Sequence, residues 1–195
     1  MEAENRKTKY TKMVLKESLL LLMEDKPINK ITVTDICKKA DLNRGTFYTH
    51  YLDAFDLLEQ IQNELMEEIT EAVDKLIKKN VKSQVILKEL FEIILKNRKL
   101  CKVVLSNNGD KDFLKDIVNL IREKIISDWT SNYPNLNIRD LEYLYIYTSM
   151  GTIGLIQQWT QTNFKETPLR LSLFLDNITT ICLLSLINKS TESLS

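Results

Sequence analysis

Between Ile31 and Leu58 the chain reads ITVTDICKKADLNRGTFYTHYLDAFDLL. The polar side chains in this window suit contact with nucleic acid rather than bond breaking. Arg44 offers a planar fork of donors matched to guanine O6 and N7, and Thr46 can bond a base edge or lay its methyl on thymine. Tyr48 and His50 lie further along and can donate to phosphate oxygens. Gly45 has no side chain to hold a DNA backbone away. Catalysis has no comparable set. The chain holds 1 His and 3 scattered cysteines (Cys37, Cys101 and Cys182), with no Gly-rich phosphate loop. No catalytic residue, metal site or cofactor is therefore expected, and an enzyme is the weakest reading.

These groups need elements to aim them. Thr32 and Asp35 form a T-x-x-D capping signature that opens a short helix running through Ile36 to Ala40. Asp41, Leu42 and Asn43 make a tight turn, and Asn43 caps a second short segment from Arg44 to His50. Two short helices joined this way form a helix-turn-helix, whose second helix enters a major groove about 12 Å wide with its N-terminal side chains at the base edges. The free N–H groups at both helix starts also favour phosphate.

Helical spacing extends over the rest. An apolar period marks a first helix at about 6–24 and a long one at about 53–79, striped by Leu57, Leu58, Ile61, Leu65, Ile69, Val73 and Leu76. The opposite face of that helix, with Glu64, Glu67, Glu68, Glu71 and Asp74, reads as solvated. Further helices are expected at about 83–97, 99–106, 111–132 and 138–163. Thr167 and Pro168 open a last one to about Asn188. The period-2 run Ile31 to Thr34 passes straight into a helix cap, so no sheet is expected. The fold class is all-α, with about nine helices.

Composition agrees. The 195 residues include only 4 Gly and 3 Pro, are 44% hydrophobic and 28% charged, and balance 27 Lys and Arg against 27 Asp and Glu. That excludes collagenous, mucin-like, disordered and polybasic coat proteins. The balance is an average, however. Residues 1–51 hold 10 basic and 7 acidic side chains, while 52–195 hold 17 and 20. A modestly basic head thus joins a modestly acidic body, and affinity for DNA should rest on two heads acting together. The polar start MEAENRKTKYTK has no apolar core of a signal peptide, and the cysteines form no closed disulfide set, so a cytoplasmic protein is expected. The uncharged stretch Tyr143 to Phe164 reads as a buried interface helix rather than a membrane span, and no membrane partner is expected.

The particular residues go further than the outline. TFYTHYLDAFDLL, after the I-x-x-x-A-x-L-x-R-G run from Ile36 to Gly45, resembles the DNA-binding domain of the tetracycline-repressor (TetR/AcrR) family of bacterial regulators. Gly45, Phe47, Tyr48, His50, Tyr51 and Leu57 occupy positions of that family's G-x-[LFI]-Y-x-[HY]-[FY]-x-x-K-x-x-L string. The resemblance covers about residues 8–60. It implies that Thr32 and Thr34 touch phosphate and flanking bases, and that Asn43, Arg44, Thr46, Tyr48 and His50 belong to the recognition helix. Leu42, Phe47, Tyr51, Leu57 and Leu58 are the core behind it, and Cys37 is a small buried residue on the scaffold helix. One position departs: where the family carries a phosphate-binding Lys, this chain has Ala54, and Lys7, Lys9 and Lys12 are the candidates to compensate.

The resemblance also implies a domain boundary at 52/53, a homodimer and an effector pocket among the middle helices. Gly151 and Gly154 would let a partner helix approach, with Ile146, Phe174, Ile178 and Ile181 completing a two-fold four-helix interface. Phe91, Phe113, Trp129, Tyr133, Tyr145, Met150 and Trp159 are the candidate pocket liners. The expected function is a dimeric regulator of a double-stranded DNA operator, a repressor released by a small-molecule effector. The alternative is a helical co-regulator or activator with weak or no autonomous DNA binding.

Overall fold

The computed structural model describes residues 6–79, 81–104 and 113–192. Among the described residues there are nine α-helices, one 3-10 turn and no strand. The helices are α1 (Arg6–Met23), α2 (Val33–Ala40), α3 (Arg44–Tyr48), α4 (Ala54–Lys78), α5 (Ser83–Lys96), α6 (Arg98–Val104), α7 (Phe113–Asn132), α8 (Ile138–Gln161) and α9 (Pro168–Glu192). Boundaries fall close to those expected. The addition is a 3-10 turn at Ile28–Lys30 behind Pro27, in the connection before the first cap. The beginning of the expected 111–132 helix lies outside the described residues, as does the end of the 99–106 helix.

Packing divides the described chain into two compact units: 6–67 with 99–104, and 68–79 with 81–98 and 113–192. In the first, α1 packs on α2 and α2 on α3. Its core holds Leu15, Leu19, Ile36, Phe47 and Leu57, all fully buried, with Tyr51, Leu58 and Leu65 beside them. Lys16 pairs with Glu64 and Lys99 with Glu17 at 3.6 Å. In the second unit, α5 packs on α9, α7 on α8 and α8 on α9. Trp159 is 2% exposed there, edge-on to Phe91 and to Phe164 at 5.5 and 5.0 Å between ring centres. Its indole N–H donates to the Glu166 carbonyl at 2.9 Å. The turn between α8 and α9 carries Asn163 and Phe164 in the left-handed region, at φ 55° and 59°. For a bulky Phe that conformation is costly, and the ring's contact with Trp159 helps to hold it.

The acidic face of α4 is not wholly solvated. Besides the Lys16 partner of Glu64, Lys96 Nζ and Asn97 Nδ2 donate to Glu68 at 2.6 and 3.1 Å. Partial burial pushes the Glu68 carboxyl upward, and the Lys96 and Asn97 bonds outweigh it, leaving it below its ordinary value. The apolar stripe on the other face is buried through Val73, with Leu76 half-buried at its end. The uncharged stretch on α8 is also less buried than expected, with Tyr143, Ile146, Tyr147 and Met150 exposed. Among the described residues, the helix long and apolar enough to cross a membrane is α9, over Pro168–Asn188; it lies against α5 and α8.

Candidate nucleic-acid interface and ligand cavity

The capping box predicted at Thr32 is formed. Its hydroxyl accepts from the Asp35 N–H at 3.1 Å, and the Asp35 carboxylate accepts from the Thr32 N–H at 3.0 Å. Lys26 Nζ donates to the same carboxylate at 2.9 Å. The Thr32 backbone bond, followed by Lys26, lowers Asp35 to about 2. The α2 start is thereby fixed, and the Thr32 hydroxyl, which only accepts here, keeps its hydrogen for a further acceptor. Thr34, two residues on, is exposed. Asp41 then ends α2 in the left-handed conformation at φ 53°, which a short polar side chain tolerates.

Asn43 caps α3 as expected, and this cap changes what two candidates can do. Its Oδ1 accepts from the Thr46 N–H at 2.7 Å and from the Thr46 hydroxyl at 3.1 Å. Thr46 therefore presents its methyl and an acceptor, while Asn43 keeps its amide N–H groups. Gly45 has a structural reason as well: a Cβ there would come within 3.2 Å of Asn43 Oδ1. Arg44 and Tyr48 are exposed and His50 is half-buried. Behind them Phe47 is fully buried, with the Tyr48 and Tyr51 rings 5.7 and 5.6 Å from its own. Cys37 is buried on the scaffold helix, where burial pushes its thiol up against a smaller opposing pull from Arg44.

At position 54 the departure has a definite structure. Ala54 is 4% exposed at the start of α4. Asp53 Oδ1 accepts from the Phe55 and Asp56 N–H groups at 2.8 and 2.9 Å, and Asp56 accepts from the Leu52 N–H at 2.7 Å. The helix start that could face a phosphate is thus capped by the chain's own carboxylates, flanked by exposed Leu52 and Phe55. Of the candidate replacements on α1, Lys7 and Lys9 are exposed and Lys12 is half-buried.

The second unit contains a cavity of about 90 Å³ bounded by α5, α7, α8 and α9. Of the expected liners, Phe91, Trp129 and Tyr145 border it; Phe113, Tyr133, Met150 and Trp159 do not. Phe113 and Trp159 are core side chains elsewhere in the unit, Met150 is 49% exposed, and Tyr133 is half-buried at the end of α7. Ring size alone did not give direction. The Tyr145 hydroxyl donates to the Val118 carbonyl at 2.6 Å, and burial pushes it up to about 12 against the pull of Arg122. Polar liners were missed: Ser83, Thr148, Ser149, Thr152, Asp176 and Thr179. Two signals could have found them: a lone acid in the apolar run from Leu169 to Asn188, and small hydroxyls at 148, 149 and 152 within the uncharged stretch 143–164.

The six residues named for an interface, Ile146, Gly151, Gly154, Phe174, Ile178 and Ile181, are all exposed in the single chain. A Cβ built at either glycine meets nothing within 4 Å.

Comparison with known proteins adds to this geometry. Residues 82–180 match the family model TetR_C_8, the transcriptional regulator C-terminal region. The HTH-type transcriptional regulator YxbF of Bacillus subtilis (strain 168) is 36% identical over 59 residues, 30% of this chain but 16% of YxbF. Among solved structures, the fatty acid degradation regulator FadR of Bacillus halodurans superposes with a TM-score of 0.67 at 15% identity, covering 93% of this chain and 97% of FadR. A TetR transcriptional regulator of Streptococcus agalactiae 2603V gives 0.62 at 19% identity, covering 89% and 96%. With the family model matched over half of its length, the chain belongs to the TetR family of transcriptional regulators.

Proposed function

We propose that the chain is a homodimeric repressor of a palindromic operator, released from it by a small molecule. The observation that carries the DNA half is the capped helix α3. Asn43 and Phe47 fix it from within, while Arg44, Gly45 and Tyr48 remain exposed beside Thr32 and Thr34. In this reading residues 1–52 read DNA, and 53–195 assemble the dimer and hold the effector. The dimer is supported by the exposed face of Ile146, Gly151, Gly154, Phe174, Ile178 and Ile181, which a second copy would cover. Release follows as a population shift: the ligand favours a conformer whose two recognition helices no longer match half-sites about one DNA turn apart. Such a protein works in the cytoplasm and needs no catalytic group.

A co-regulator or activator with weak DNA binding is the second reading. The observation in its favour is the carboxylate-capped start of α4 at Ala54, where a phosphate contact is missing. Selection of bound duplexes from random DNA, followed by salt titration of the winner, separates the two. The repressor reading expects a selected inverted repeat and affinity that falls steeply with salt. Failure to select any sequence, or binding indifferent to salt, transfers the case to the co-regulator.

A further inference from the structure

We infer that the cavity between α5, α7, α8 and α9 takes an organic cation: a compact apolar body carrying a protonated amine. The inference rests on the reading of the chain as a ligand-responsive regulator and specifies the chemistry of the ligand.

The cavity wall is mostly aliphatic and aromatic, with Leu87, Leu90, Ile117, Ile121 and Ile156 among its lining side chains. Thr179 apart, its polar side chains present acceptors. Thr148 donates its hydroxyl hydrogen to the Leu144 carbonyl at 2.9 Å, Ser149 to Ile146 at 3.0 Å and Thr152 to Thr148 at 2.8 Å. The Tyr145 hydroxyl is likewise committed to Val118, and Ser83 donates to Asp176 Oδ1 at 3.4 Å. These hydroxyls keep only lone pairs for a guest. Asp176 is the one charged lining residue; no Lys, Arg or His among the described residues borders the cavity.

A guest must complement that wall. A carboxylate or phosphate would meet a like charge with no cation to pair with it, at a high desolvation cost. A metal ion needs several ligand side chains, and no group of three His, Cys, Asp or Glu able to hold one occurs among the described residues. An ammonium group suits both features of the wall. It donates to Asp176 and to the lone pairs of the helix hydroxyls, and aromatic rings such as the lining Trp129, Tyr145 and Phe91 attract positive charge at their faces. The carbon body fills the aliphatic remainder.

The test is calorimetry on the full chain with three probes of equal length: hexylamine, hexanol and hexanoate. The expected order is the amine tightest and the carboxylate weakest, by at least about tenfold. Asp176→Asn, near-isosteric at a half-exposed position, should weaken hexylamine by between about tenfold and a hundredfold while leaving hexanol unchanged. Three results overturn the assignment: hexanoate binding as well as the amine, an unchanged amine affinity in D176N, or no heat from any probe at millimolar concentration. If D176N does not fold, the probe order in the native chain decides alone. Displacement from DNA is measured separately. An amine that binds the cavity without releasing DNA refutes the induction mechanism and leaves the ligand class standing.

Discussion

Replacing Tyr145 with Phe tests the buried contact that ties α8 to α7, and structure fixes both sign and size. The hydroxyl donates to Val118 at 2.6 Å from a side chain 6% exposed, so its loss should cost about 1 kcal/mol at pH 8. In a chain of 195 residues that corresponds to a fall in Tm of about 2–4 °C. The second part concerns alkali. Burial raises the hydroxyl from 10.0 to about 12, so the stability it contributes is complete below pH 10 and lost as pH rises from 10 toward 12. At pH 11 ionisation in the unfolded chain should already remove about 1.4 kcal/mol from the native protein. Tyr145→Phe has no such group. The difference of about 1 kcal/mol at pH 8 should therefore shrink to nothing, or slightly reverse, at pH 11. Urea melts followed by far-UV circular dichroism at pH 8, 9, 10 and 11 measure the gap. A difference that stays constant over that range refutes the claim that burial keeps this phenol neutral.

Three further outcomes concern the first compact unit. Arg44→Ala should relax discrimination at one base pair by about 1–3 kcal/mol in competition binding, and an unaltered preference would remove Arg44 from base reading. Ala54→Lys should restore a phosphate contact in each subunit. The slope of log affinity against log salt then steepens by about 0.9 per contact, roughly a tenfold change across 50–200 mM in a dimer. An unchanged slope would mean that position 54 does not reach the DNA backbone. Asp35→Asn should destabilise the head at neutral pH. Because the folded carboxyl sits near 2 and the ordinary value is 3.8, the gap to the native protein should close as pH falls from about 4 to 2. Thermal melts showing a gap independent of pH would contradict the capping account.

Local chemistry was easy to read; direction was not. The Thr32 box, the Asn43 cap and the Thr167 and Pro168 start of α9 are set by residues a few positions apart, so sequence shows them directly. Apolar spacing likewise exposed the buried stripe of α4. The cavity depends instead on where four helices leave space, and a large aromatic side chain contributes to a core as readily as to a pocket wall. Phe113 and Trp159 are buried away from the cavity, whereas the small Thr148, Ser149 and Thr152 border it. Asn43 and Thr46 show the same limit. Their types suit DNA, but their bond to each other decides which atoms are left to present.

The three cysteines differ in their chemical reach. Cys37 is buried on α2, and Cys101 is buried on α6 with its thiol pushed up to about 12, so neither offers a thiolate at neutral pH. Cys182 is half-exposed on α9, next to Ile181 in sequence and one turn beyond Ile178. A maleimide added at pH 7 should therefore label one position, with no cysteine engineered and α3 untouched. Its labelling rate then reports on that face: dilution that frees it should speed the reaction, and crowding by a second copy should slow it.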